Sequence, residues 1–186
     1  MRKLVAYELL SLDGVAEDPD EFILDFDDIM QANLDLVIAS QDAVILGRRN
    51  YEEWANFWPL SDIEPFATFI NSVQKYVVTS RSTPLAWSNS SALGANFIDD
   101  IVDLKQRDGG DIGLHGSIQL TQALLAHGVV DELRLVIAPV VRSRGRKLFN
   151  DDSALKLELV SSVATTSGAL LVHYVVARQT DGPTTS

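Results

Sequence analysis

The chain has 186 residues, 46% hydrophobic and 22% charged, with a formal net charge of −11 and no cysteine. That length suits one domain with a sizeable core, the acidic balance argues against a nucleic-acid or anionic-membrane surface, and the missing thiols exclude a disulfide framework and a thiolate metal site. The apolar start is broken by Glu8 and is too short and polar for a signal peptide, and no stretch approaches the ~18 apolar residues of a membrane span, so a cytoplasmic protein is expected.

Residues 4–12 are apolar and β-prone and are followed by the turn signal Asp13-Gly14. Phe22, Phe26, Ile29, Met30, Leu34, Val37 and Ile38 recur at three and four residues, which predicts a helix from Phe22 with one buried stripe. Residues 43–46 read as a buried strand. Residues 51–57 read as a short helix stopped at Trp58-Pro59, and residues 65–71 as a further helical turn. A third strand, 75–79, ends at Ser80-Arg81. A short strand is expected at 96–98 and a helix at 101–106.

The glycine-rich link 108–111 leads into a strand at 112–114. Residues 117–127 form a helix with Leu120, Leu124 and Leu125 on one side and Gly128 as its terminator. Residues 133–141 read as a long apolar strand. Leu155, Leu157 and Leu159 alternate with Lys156 and Glu158, as in a half-exposed strand. Ser167-Gly168 turns the chain into 169–177, which is apolar almost throughout and is expected to be buried on both faces. Residues 181–186 read as a disordered polar tail. Strand–helix alternation closed by a hairpin predicts a mixed, mainly parallel α/β sheet with helices on both faces.

Three strand ends carry chemistry. Gly47-Arg48-Arg49-Asn50 puts a glycine and two guanidinium groups where a strand passes into a helix, a recipe for holding phosphate. Thr79-Ser80-Arg81 offers two hydroxyls and a third guanidinium. Gly113-Leu114-His115-Gly116-Ser117 is a glycine turn opening a helix. Each is common by itself. Together, at the carboxyl ends of strands in one α/β sheet, they suit an elongated anion such as a dinucleotide. The G-x-G-x-x-G and G-x-x-x-x-G-K-[ST] fingerprints are absent. Trp54, Phe57 and Trp58 could wall a flat heterocycle, although packing is the commoner use of such a cluster. His115, His127 and His173 have no metal-ligand spacing, so no metal is expected. Arg142, Arg144, Arg146 and Lys147 read as a solvated basic turn or a contact for a substrate phosphate.

These segments resemble the dihydrofolate reductase-like superfamily. Within it the chain is most similar to the reductase domain of the bacterial riboflavin-biosynthesis deaminase/reductase and its stand-alone relatives. The resemblance rests on Ser11-Leu12-Asp13-Gly14, on 46–52, on Val78-Thr79-Ser80-Arg81 and on Gly116-Ser117-Ile118-Gln119-Leu120. The 124–133 run, Pro139-Val140 and Gly145-Arg146-Lys147-Leu148-Phe149 also carry it. It spans residues 1–178 as a single reductase-like domain and leaves 179–186 as tail.

The resemblance implies a three-layer α/β/α fold with a closing antiparallel hairpin, and NADPH as hydride donor. It also implies reduction of a pyrimidine, pteridine or related heterocycle, in a homodimer. By the same resemblance Gly47, Arg48 and Asn50 hold cofactor phosphates, with Asn50 where the family usually has Thr. Thr79, Ser80 and Arg81 face the adenosine 2′-phosphate, and Gly116, Ser117 and Ile118 present backbone N–H groups to the pyrophosphate. Asp13 and Gly14 lie near nicotinamide and substrate; the substrate-site role expected of Trp54 rests on its stacking surface, not on the resemblance. A more glycine-rich turn is usual where Arg142-Ser143-Arg144 stands.

The implied reaction is that of 5-amino-6-(5-phosphoribosylamino)uracil reductase. The alternatives are a dihydrofolate reductase-type pteridine reductase and a nucleotide-binding protein without turnover. Hydride transfer to an imine-like bond also needs a proton. The aligned acid position falls near Gln31; Asp28 and Asp13 are the candidate donors.

Overall fold

β1 (Leu4–Ser11) runs through the interior of the sheet, parallel to both of its neighbours. The structure is a computed structural model and describes residues 1–81, 84–149 and 154–177. The other strands are β2 (Gln41–Gly47), β3 (Gln74–Val78), β4 (Ser90–Leu93), β5 (Asp111–His115), β6 (Glu132–Ala138), β7 (Leu157–Ala164) and β8 (Leu170–Val176). They form one sheet in the order β4-β3-β2-β5-β1-β6-β8-β7. All pairings from β4 to β6 are parallel; β8 and β7 join antiparallel, as the closing hairpin.

Alternation along β1 divides the core. Leu4, Ala6 and Leu10 face α4 (Phe97–Gln106) and α5 (Ile118–Ala126), which contribute Ile101, Leu104 and Leu124. Tyr7 faces α1 (Asp28–Ala39), α2 (Arg48–Phe57) and α3 (Phe66–Ser72), through Leu34, Tyr51 and Ile70. Helices therefore cover both faces, the three-layer α/β/α arrangement expected from the sequence. No helix among the described residues is long and apolar enough to cross a membrane.

Four expectations fail for physical reasons. The first helix starts at Asp28, not at Phe22. Asp27 caps it, its Oδ1 accepting from Ile29 N at 3.1 Å and Met30 N at 3.0 Å. Phe22 is buried from a loop and Phe26 is exposed, so two members of the stripe were coincidental. Residues 97 and 98 open α4 instead of forming a strand, and the strand there is β4, a short polar edge that hydrophobic patterning could not register. The long strand ends at Ala138 because Pro139 cannot donate to a ladder. β8 is not buried on both faces: Leu170 and Val175 are 43% and 37% exposed, since only β7 lies outside it. The expected tail, 181–186, lies outside the described residues.

Candidate active site

β3, β2 and β5 are parallel neighbours, so the turns that follow them open on the same edge of the sheet. That is the crevice in which α/β sheets take their ligands. Two of the turns are stapled together. Gly47 is the N-cap of α2, and its N–H donates to Ser117 Oγ at 3.0 Å. Asn50 Nδ2 donates to the same oxygen at 3.1 Å and to the His115 carbonyl at 3.0 Å. Gly116 has φ +63°, and a Cβ there would lie 3.1 Å from Trp54 Cζ2. Both the backbone and the tryptophan therefore demand glycine.

Two grooves run along this edge and share Arg48 and Arg49. The larger, about 550 Å³, is lined by Glu52, Thr79, Ser80 and Arg81 besides the shared pair. The smaller, about 270 Å³, is lined by Gly47, Asn50, Gly116, Ser117, Ile118 and Arg146 among others. Arg48 Nε donates to Glu52 Oε1 at 2.7 Å, and Arg81 Nη1 reaches the same oxygen at 3.3 Å. Arg48 Nη1 is buried without a hydrogen-bond partner among the described residues. An unmatched guanidinium N–H is unfavourable by itself, and it marks where an anionic acceptor fits. Thr79 Oγ1 accepts from Arg81 N at 3.1 Å, which shapes the turn carrying the exposed Ser80 and Arg81. All nine residues expected to hold the cofactor thus line this pair of grooves.

The two proposed acids do not join them. Asp13 accepts from Arg142 N at 3.0 Å, from Ser11 Oγ at 2.7 Å and from Ser143 N at 2.9 Å. The Arg142 N–H, first among these, pulls the carboxyl down to about 2. Asp13 is therefore an ionised anchor for the 142–143 loop and has no proton to give near neutral pH. Asp28 is exposed on the first turn of α1 and lines neither groove. Gly14, at φ +85°, makes the tight turn whose carbonyl accepts from Leu148 N. Trp54 packs edge-on against Trp58 and Phe66, with ring centroids 5.7 and 5.6 Å away. It borders the groove through its contact with Gly116. Two of the basic-turn residues are neutralised: Arg142 by Glu21 and Arg146 by Glu17.

Two buried polar residues lie behind the site: His115, which the sequence already places beside the glycine turn, and Glu8, which sequence reasoning missed. His115 is sealed beneath Phe66, with Nε2 2.8 Å from Gln41 Oε1, and burial pushes it down to about 4. Glu8 is buried under α5, where its Oε1 accepts from Thr121 Oγ1 at 2.8 Å, and burial pushes it up to about 7. The one signal was an acid in an otherwise apolar strand.

The Glu8 shift makes a stability prediction. Between about pH 4.5 and 7 the folded chain holds a proton that the unfolded chain has released, so stability attached to Glu8 is lost as pH rises through 7. Glu8→Gln keeps an acceptor for Thr121 without the ionisation. It is expected to match wild type near pH 5 and to be more stable by ~2–3 kcal/mol near pH 8.5 in urea titrations. Equal stability at both pH values would refute the shift. His115 works in the opposite direction below about pH 6.5, losing stability as pH falls toward 4, and cancels in the comparison.

Comparison with known proteins fixes the family. The RibD C-terminal domain matches residues 2–171. The chain belongs to that family. In this RibD-type domain the whole sheet through β8 lies within or beside the matched span. The family is one of NAD(P)H-dependent pyrimidine reductases that generally use NADPH. A curated relative, the uncharacterized protein YyaP of Bacillus subtilis, is 27% identical over 93% of this chain and 94% of its own.

Solved structures share the fold. A protein assigned to riboflavin biosynthesis in Shewanella sp. PV-4 has a TM-score of 0.73 at 17% identity, covering 95% of this chain and 99% of that one. A pyrimidine reductase-like protein of Corynebacterium diphtheriae has a TM-score of 0.67 at 14% identity, with 95% and 92% covered. The bifunctional diaminohydroxyphosphoribosylaminopyrimidine deaminase/5-amino-6-(5-phosphoribosylamino)uracil reductase of Thermotoga maritima has a TM-score of 0.66 at 12% identity. There the match covers 95% of this chain and 57% of the larger protein.

Proposed function

We propose that the chain is an NADPH-dependent reductase of a small heterocycle, acting on a pyrimidine of the 5-amino-6-(5-phosphoribosylamino)uracil type. The observation that carries this reading is the buried, unpartnered Arg48 Nη1 on the wall shared by two grooves, at the carboxyl ends of three adjacent parallel strands. The residues present suit a phosphorylated dinucleotide. Arg48 offers a buried donor, the Gly116 turn and the start of α5 line the smaller groove, and the exposed Ser80 and Arg81 line the larger one. When bound, NADPH supplies the hydride. The protein's part is to hold its phosphates and orient it along the strand ends. The test is NADPH oxidation followed at its nicotinamide absorbance, with a ribosylaminopyrimidine and with dihydrofolate side by side; binding of neither NADPH nor NADH defeats the proposal.

Arg81 gives a sharper expectation. It is exposed and its nearest partner is Glu52, so its removal leaves the fold intact. Arg81→Ala is expected to weaken NADPH about ten-fold and NADH less than two-fold, because only NADPH carries the 2′-phosphate. Equal losses in a fluorescence titration would show that Arg81 does not read that group.

A nucleotide-binding protein without turnover is the second reading, favoured by the commitment of Asp13 to loop anchoring. Steady turnover of any pyrimidine or pteridine eliminates it. A homodimer belongs to the first reading: β7 is the last strand of the sheet and exposes Leu159, Val160 and Val163, a surface suited to a second copy.

A further inference from the structure

Glu8 has no part in the reading above, yet it is built into the underside of the same site. It is the one acidic residue of β1 and leaves the sheet on the α4–α5 face, where Leu4, Ala6 and Leu10 are core. Thr121, in the first turn of α5, donates its hydroxyl to Glu8. Thr121 N donates to the Ser117 carbonyl at 2.8 Å, and Ser117 Oγ holds Gly47 N and Asn50 Nδ2. Two residues, Thr121 and Ser117, therefore link a buried carboxyl to the floor of the smaller groove through their hydrogen bonds.

Among the described residues Glu8 has no charged partner. α5 presents Thr121 and aliphatic side chains, β5 presents Ile112 and Leu114, and β6 presents Leu133 and Leu135. The titratable groups packed on this side of the sheet include Tyr76 of β3, Tyr174 of β8 and Lys105 of α4. Lys105 is engaged with Asp131 and the Val129 carbonyl. The segments that close the face bring Glu17, paired with Arg146, and Lys147. Burial first, then the Thr121 hydroxyl, sets the proton affinity of Glu8 near 7. His115 belongs to the opposite face and titrates well below the neutral range.

A carboxylate enclosed beneath the turn at 116–118 repels an anion placed on that turn through a medium with little water to screen it. A neutral carboxyl does not. Resting on the dinucleotide reading, we infer that Glu8 is a positioning residue that takes up a proton when a phosphate-bearing ligand occupies the Gly116-Ser117-Ile118 turn and releases it when the ligand leaves. The coupling is reciprocal: the ligand raises the proton affinity of Glu8, and the proton raises the affinity for the ligand by the same factor.

Isothermal titration calorimetry on the full chain tests this, with NADPH and with NADH. Titrations run from about pH 6 to about pH 8.5 in two buffers of different ionisation enthalpy, for wild type and Glu8→Gln. Wild type is expected to take up a fraction of a proton on binding near pH 7.5, with affinity falling about ten-fold across the range. Glu8→Gln should lose that uptake and bind about ten-fold more tightly than wild type near pH 8.5. Titration of the 2′-phosphate of NADPH is common to both proteins and cancels, and NADH lacks that group.

Equal proton uptake and equal pH profiles in the two proteins would overturn the role of Glu8 while leaving the dinucleotide site standing. Absence of binding by either nucleotide at every pH would overturn both. Should Glu8→Gln fail to fold, proton uptake by wild type with NADH decides alone: none measured means no coupling. A purely structural role for Glu8 would change stability without moving protons on binding.

Discussion

Gly113→Ala is expected to destabilise the protein by ~3–4 kcal/mol, measured as a fall in urea midpoint at unchanged slope. Gly113 sits in β5 with a strand on each side, opposite Val5 of β1 and Val44 of β2. The place its Cβ would take is already filled by the hydrogen-bonded pair His115 Nε2 and Gln41 Oε1. The added carbon would lie 2.6 Å from the histidine nitrogen and closer still to the glutamine oxygen. Neither strand can move aside without breaking a ladder, so the pair must separate. Separation leaves Gln41 and His115 unmatched in a buried site where, among the described residues, Gln41 Nε2 already lacks a partner. Gly94 is the control, since a Cβ there meets nothing within 4 Å and its backbone is ordinary. Gly94→Ala should change stability by no more than ~0.5 kcal/mol. Combining Gly113→Ala with Gln41→Ala should recover part of the loss, because the closer of the two clashes goes with the glutamine while that with His115 stays. A loss under ~1 kcal/mol from Gly113→Ala would refute the packing argument.

Gly113 also shows where sequence reading stops. In sequence it belongs to the glycine turn that opens α5, and a turn role accounts for Gly116, whose φ is positive. Gly113 is instead a strand glycine, required by a glutamine 72 positions earlier that no local pattern connects to it. The strand ends were legible because glycine, arginine and hydroxyl residues punctuate apolar runs locally. The parallel order that brings Gly47, Thr79 and Gly116 to one edge followed from strand–helix alternation. What stayed hidden depends on burial decided by the whole fold. Asp13 looks like an acid near a reactive centre, and only the hydrogen bonds from Arg142 and Ser143, 129 and 130 positions away, show it to be an ionised anchor. Glu8 reads as an interruption in a strand until α5 covers it. The start of α1 was misplaced because two phenylalanines matched a helical period that the Asp27 cap overrules.

Arg48→Ala is expected to separate affinity from stability. Affinity for NADPH should fall about 100-fold, since the side chain borders both grooves and carries, among the described residues, a buried donor without a partner on their common wall. The melting temperature should hold steady or rise. The Arg48 guanidinium is mostly buried yet pairs with Glu52 through Nε alone, leaving Nη1 unmatched, an arrangement that disfavours the folded state when no anion is bound. Arg81, already 3.3 Å from the same carboxylate oxygen, remains to accompany Glu52. Calorimetric titration and a thermal melt on one preparation read both quantities. A lowered melting temperature with unchanged affinity would make Arg48 a structural residue and remove the observation on which the dinucleotide site rests. The expected pattern, affinity lost and stability kept, is that of a group held in an unfavourable state by the fold so that a ligand can complete it. Saturating NADPH should then raise the melting temperature of wild type by more than that of the variant, because a ligand stabilises in proportion to the logarithm of its concentration over Kd.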